Sequence, residues 1–178
     1  MTRLLASVCL AALIAMPAAA ALKNGVPAPD FAARASLAGK QFDFKLADAL
    51  KKGPVVLYFY PAAFTPGCTI EAHMFADAME DFEKLGATVI GVSRDDIEKL
   101  DRFSLTECRS KFPVAADGNG RITRSYDAVM RGAPEWADRI SYVIAPDGKI
   151  LLNYTAGDPT HHVEYTMNAV KEYVAAHK

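Results

Sequence analysis

Six consecutive residues, Val55-Val56-Leu57-Tyr58-Phe59-Tyr60, are apolar or aromatic, with Gly53-Pro54 before them and Pro61 after. A run this short, β-branched and aromatic predicts a fully buried strand. The residues after Pro61 narrow the fold further. Thr65 is a good N-cap residue, and Pro66 suits the first helical position, where its missing N–H costs nothing. Phe75, Ala78, Met79, Phe82 and Leu85 then recur at spacings of three and four, and Gly86 supplies a stop. The junction therefore predicts an amphipathic helix over 66–85 with a thiol, Cys68, in its first turn.

Unpaired backbone N–H groups and the positive end of the helix dipole surround a side chain at that position, and both favour thiolate over thiol. A lone cysteine in a helix is more often a small inert core residue. Here the neighbours Thr65, Gly67, Thr69 and Glu71 are not those of a core thiol, which favours a redox nucleophile. Thr65 can turn its hydroxyl toward whatever lies above the sulfur.

The chain opens with one basic residue, Arg3, before Lys23, an apolar stretch from Leu4 to Ile14, and Pro17-Ala18-Ala19-Ala20-Ala21. This predicts a secretory signal peptide over residues 1–20, leaving residues 21–178 as a single domain in the periplasm or outside the cell. A membrane anchor is the rival, but the apolar stretch is broken at Met16-Pro17, short of the roughly 18 to 20 residues a span needs. No stable membrane association is expected after cleavage. Cys9 has Val8 before it, unlike a lipoprotein site, and leaves with the leader. Two cysteines, Cys68 and Cys108, then remain in an oxidising setting, and an even pair invites a disulfide. The formal charge of −1 and the lack of basic clusters argue against a nucleic-acid partner.

From Leu22 to Asp30 an extended arm is expected, then a hairpin with its turn at Ala38-Gly39-Lys40 and a short helical turn before Gly53. A second buried strand over 88–93 completes a parallel β-α-β crossover. Asp95 or Asp96 can cap the next helix, whose apolar side is Ile97, Leu100, Phe103 and Leu105. Phe112 to Ala116 reads as a short strand, Ile122 to Val129 as a brief helix, and 139–145 with 149–154 as a hairpin around Pro146-Asp147-Gly148. A final helix is expected from near Pro159 through Val163, Met167, Val170 and Val174. The fold class is α/β and thioredoxin-like: a central mixed β-sheet with helices on both faces.

Pro61-x-x-x-Thr65-x-x-Cys68 resembles the peroxiredoxin signature, and the string from Tyr58 to Thr69 is similar to the bacterioferritin-comigratory subgroup. The resemblance runs from about Gly25 to the C-terminus and implies the same fold. It implies a thiol-dependent peroxidase reducing hydrogen peroxide and organic hydroperoxides through a sulfenic acid at Cys68. Thr65, Cys68 and Arg139 would bind the substrate, with Arg139 matching the family's arginine and Pro61 shielding the sulfur. From the residues alone, Arg139 also reads as a solvated strand-end charge, and Pro61 as a strand terminator, which is compatible with shielding.

The subgroup's commonest resolving cysteine lies five residues after the peroxidatic one, where this chain has His73. Some members place it in the following helix, which makes Cys108 the candidate; its polar neighbours Thr106, Glu107, Arg109, Ser110 and Lys111 argue against an inert core thiol. Disulfide closure would require unwinding of the first turn at Cys68. The resemblance further implies a thioredoxin-like or small-thiol reductant, a monomer or weak dimer, and no metal or organic cofactor.

His73 reads as a surface or boundary residue, and His161-His162 as a solvated helix cap rather than a metal site. Two other functions remain open at this point: a copper-binding assembly protein using Cys68 and a histidine, and a thiol-disulfide oxidoreductase using Cys68 with Cys108. The first lacks a close cysteine pair. The second has Thr65 where a Cys-x-x-Cys motif needs its first thiol.

Overall fold

The structure, a computed structural model, describes residues 21–177. The expected signal peptide over 1–20 lies outside the described residues. The elements in chain order are β1 (Ala32–Leu37), β2 (Lys40–Lys45), α1 (Leu46–Leu50), β3 (Val55–Phe59), α2 (Pro66–Lys84), β4 (Thr88–Ser93), α3 (Ile97–Thr106), β5 (Val114–Ala116), α4 (Arg121–Ser125), β6 (Ile140–Ile144), β7 (Ile150–Thr155) and α5 (His162–Ala176).

One seven-stranded sheet runs in the order β2-β1-β5-β4-β3-β6-β7. β3, β4 and β5 are parallel, and β6 returns antiparallel beside β3. Every residue of β3 is buried, as an uninterrupted apolar strand with neighbours on both edges must be. Alternate side chains serve two cores. Val56 and Tyr58, with Val89 and Val143, meet the apolar stripes of α2, α3 and α5. Val55, Leu57 and Phe59, with Ile90, Val92 and Tyr142, meet Phe31, Leu46, Ile122 and Tyr126 on the other face.

The expected hairpin is present, but it is not a separate unit: β1 pairs with β5 and carries the sheet out to its edge. α4 is shorter than the expected 122–129 helix. The buried Asp117 carboxylate fixes its start by accepting the N–H groups of Ile122 and Thr123, and Asp127 turns left-handed just beyond its end.

α2 ends as its glycine predicts. Gly86 is left-handed, the N–H of Ala87 reaches back to the Phe82 carbonyl, and that of Gly86 to Glu83, which satisfies carbonyls the helix leaves over. Its start differs. Thr65 has extended backbone before Pro66, but its hydroxyl donates to the Ala62 carbonyl at 3.0 Å and caps nothing. Asp96 does cap α3, accepting from Lys99 N–H at 2.7 Å. Leu105 is exposed rather than part of the apolar side, because the buried stripe of α3 runs through Leu100, Phe103 and Ser104.

Candidate active site

Antiparallel pairing sets Phe59, the last residue of β3, opposite Ile140, the first of β6. The chain leaving β3 through Pro61 and the residue entering β6, Arg139, therefore lie at the same end of the sheet. Sequence reasoning placed both near Cys68 only by resemblance; strand register supplies the physical reason.

Cys68 is buried in the first turn of α2, ahead of the first intrahelical bond, from Thr69 N–H to the Thr65 carbonyl. Arg139 is also buried and uses every nitrogen of its guanidinium. Nε donates to the Gly157 carbonyl at 3.0 Å, Nη1 to Glu71 Oε2, and Nη2 to Cys68 Sγ at 3.4 Å. Gly67 makes room for it, since a Cβ there would stand 3.1 Å from Nη2. Burial works against the charge of Arg139, but Glu71 and Cys68 together outweigh it and push its pKa up. The arginine is a fixed cation, not a solvated strand end.

Glu71 is absent from the sequence-based candidates, yet it anchors the site. It is fully buried, and burial pushes its carboxyl up to about 8 against the pull of Arg139. Its position carried a signal: the buried residues of α2 are Cys68, Glu71, Ala72, Phe75, Ala76, Met79 and Phe82, so Glu71 lies on the apolar stripe itself. Glu71 Oε1 has no hydrogen-bond partner and faces His162 Nδ1 at 3.7 Å.

His162 overturns the expectation of a solvated cap. It is fully buried, with Nδ1 2.8 Å from Ser141 Oγ and Nε2 3.0 Å from the Ala156 carbonyl. A carbonyl can only accept, so Nε2 carries the proton and Nδ1 receives one from Ser141. Burial holds the imidazole down at about 4, with the Arg139 charge adding to it. His162 is thus a neutral buttress behind Glu71. His161, by contrast, is exposed and pairs with Glu164, as a cap-region residue would.

The loop from Pro61 to Thr65 is held from the next crossover. Asp95 Oδ2 accepts the Ala63 N–H at 2.7 Å, and Phe64, left-handed at φ 67°, sets its ring edge-on against Phe103. Pro61 is half-buried at the strand end, and Thr65 half-buried beside it.

Cys108 lies just beyond the end of α3. It is fully buried in the same apolar cluster as Cys68, and both thiols are free. Its polar neighbours argued against a core thiol. Instead Arg109, Ser110 and Lys111 take the solvent while the sulfur turns inward, and burial pushes its pKa far up. His73 is a boundary residue as expected, bonded to Glu107 at 2.9 Å. Among the described residues no three His, Cys, Asp or Glu side chains group as metal ligands would, and no described helix is long and apolar enough to cross a membrane.

The sequence profile described as the AhpC/TSA family matches residues 24–152. Peroxiredoxin Bcp of Escherichia coli (strain K12) is 33% identical over 124 residues, covering 67% of this chain and 79% of that protein. The chloroplastic peroxiredoxin Q of Gentiana triflora is 33% identical over 157 residues, covering 79% of this chain and 72% of that one. The crystal structure of peroxidoxin BcpB from Mycobacterium tuberculosis superposes with a TM-score of 0.77 at 28% identity, covering 85% of this chain and 97% of that one.

Proposed function

The chain belongs to the AhpC/TSA family and is a thiol-dependent hydroperoxide reductase of thioredoxin-like fold, and we propose that Cys68 is its peroxidatic nucleophile, acting on hydrogen peroxide and organic hydroperoxides. The observation that carries this assignment is the contact of Arg139 Nη2 with Sγ at 3.4 Å, in a helix first turn. A cation and unpaired N–H groups favour the anionic sulfur and stand ready for the charge that passes to the leaving oxygen.

The Cys68 thiolate attacks the terminal oxygen of R–O–OH. An S–O bond forms as the O–O bond breaks, two electrons pass from sulfur to the peroxide, and RO⁻ leaves and takes a proton to become ROH. Thr65 has its hydroxyl proton on Ala62, so its oxygen lone pairs are free to accept the peroxide O–H. Pro61 walls the sulfur from water.

Cys108 then resolves the sulfenic acid. Its thiolate attacks Cys68 Sγ, the disulfide forms, and hydroxide leaves as water. A thioredoxin-like protein or a small thiol reduces the disulfide afterwards. Burial of Cys108 means that its cover must open first. The charge-poor leader supports export, with removal of residues 1–20 and work by a monomer or weak dimer in the periplasm or outside the cell. A copper-binding or disulfide-exchange role receives no support.

Intact mass under non-reducing conditions after one equivalent of peroxide tests the cycle. The wild type should lose two hydrogens, and Cys108→Ser should stop at one added oxygen on Cys68. Accumulation of that adduct in the wild type removes Cys108 from the cycle, and an unreacted Cys68 removes the nucleophile.

A further inference from the structure

Ala63 and Phe64 are held in place by one neighbouring segment. Asp95, in the turn between β4 and α3, accepts at Oδ2 from the Ala63 N–H at 2.7 Å and from Ser93 Oγ at 2.8 Å, and at Oδ1 from Lys99 Nζ at 2.6 Å. Its side chain is only 10% exposed, so these bonds are made largely out of water and are correspondingly strong. The next residue, Phe64, is left-handed at φ 67°, a conformation that crowds the Cβ of any L residue. Such a backbone persists only where its surroundings hold it. Locally, the N–H and hydroxyl of Thr65 both reach the Ala62 carbonyl across it, and two restraints come from outside the loop: the Asp95 bond to Ala63 on one side and the Phe103 ring against Phe64, with centroids 5.2 Å apart, on the other.

Both of these outside restraints come from the segment 95–103, and that segment continues through α3 to Cys108. The far end of α3 is tied in turn to α2, by Glu107 to His73 and by Arg109 to Asp77. Arg109 and Ser110 are both left-handed immediately after Cys108. One segment therefore restrains the loop beside Cys68, through Asp95 just before α3 and Phe103 within it, and carries the buried Cys108 just past its helical end.

We propose that Asp95 is a positioning residue that sets the partition between the two steps assigned to Cys68. Bonded to Ala63, it holds the loop 61–65 so that Thr65 and Cys68 keep the arrangement that receives peroxide. When that bond opens, Phe64 leaves its strained conformation, the first turn of α2 loses its support, and Cys68 becomes free to meet Cys108. The inference rests on the two-cysteine cycle proposed for this site and adds what governs its rate.

Asp95→Ala, Asp95→Asn and the wild type are compared in single-turnover quench experiments read by mass. One rate is oxidation of Cys68 by limiting hydrogen peroxide; the other is conversion of the oxygen adduct to the disulfide. Asp95→Ala should slow the first at least about tenfold and speed the second by about fivefold. Asn keeps an acceptor for Ala63 and should restore the first rate to within about threefold. A merely structural loss would slow both rates together, and that result, or no change in either, overturns the proposal.

Amide exchange of residues 62–65 in the reduced wild type needs no variant. The Ala63 amide should be protected and become fast once the disulfide has formed; an unprotected Ala63 amide in the reduced protein also overturns it. If Cys68 of the wild type does not oxidise at all, the peroxidase assignment fails instead, and the two failures are told apart.

Discussion

Two thiols lie at the same depth in one apolar cluster, Cys68 at 1% and Cys108 at 0% exposure, and their surroundings are opposite. Cys68 sits at the N-terminal, positive end of α2 with a guanidinium on its sulfur. Cys108 sits past the C-terminal, negative end of α3, beside Glu107, with burial and that charge both pushing its pKa up. Burial alone therefore says little about a thiol. What decides is which end of a helix it occupies and whether a cation has been brought in behind the burial.

The comparison breaks most sharply at Arg139. Arg139→Met should slow Cys68 oxidation by about 10² to 10³, or about 3 to 4 kcal/mol of barrier, leaving that sulfur as poor in donors as Cys108. It also leaves the buried Glu71 carboxyl, already raised to about 8 and so protonated near neutrality, without its partner, at a stability loss of about 1 to 3 kcal/mol. Adding Glu71→Gln should recover stability in urea melts but not rate in stopped-flow assays. Recovery of both would assign Arg139 a purely structural role.

A second test reaches the support behind Cys68, which has no counterpart at Cys108. Folded His162 is held at about 4, below its ordinary 6.5, so the unfolded chain takes the proton first on acidification. Its contribution to stability is whole above pH 6.5 and drains away as pH falls toward 4, by at most about 3 kcal/mol. His162→Gln keeps a donor for Ala156 and loses the titration. Urea unfolding from pH 7 to 4 should show the wild type losing that much relative to the variant. Glu71, raised to about 8, acts in the other direction: its contribution is whole below its ordinary 4.5 and is lost as pH rises through 8. Being common to both proteins, it largely cancels from the difference. Parallel pH profiles would contradict a neutral buried imidazole.

The smallest effect sharpens the Cys108 side. Ser110 is left-handed at φ 57°, and glycine there should stabilise the protein by about 0.5 to 1 kcal/mol. Alkylation of native Cys108 should slow by up to about fivefold, because its cover opens less often. Faster alkylation would place the opening elsewhere.

Much of this was legible from local pattern. The strand 55–59 is an uninterrupted apolar run, α2 repeats its stripe at three and four, and Pro66 and Gly86 mark its ends. Cys68 followed from that junction. Glu71, His162 and Asp95 did not, because charged residues in helices and turns read as solvated unless their place on the buried stripe is weighed. The signal existed for two of them: Glu71 stands three after Cys68, and His162 stands four before Thr166 and eight before Val170, all buried. Asp95 reads locally as an alternative cap for α3, a role that Asp96 takes; its bond to Ala63 spans 32 residues and has no local trace. For Cys108, sequence neighbours misled because a tight turn exposes three residues and hides the fourth.

Arg139 lies 71 residues after Cys68, and His162 follows later still. During folding, strand β3 and helix α2 can form with β4 before either arrives, so the sulfur is present well ahead of its cation. The guanidinium reaches Sγ through the pairing of β6 with β3, and Glu71 is backed by the first residue of α5. On the assignment proposed above, an unfinished chain would carry the thiol without its cation.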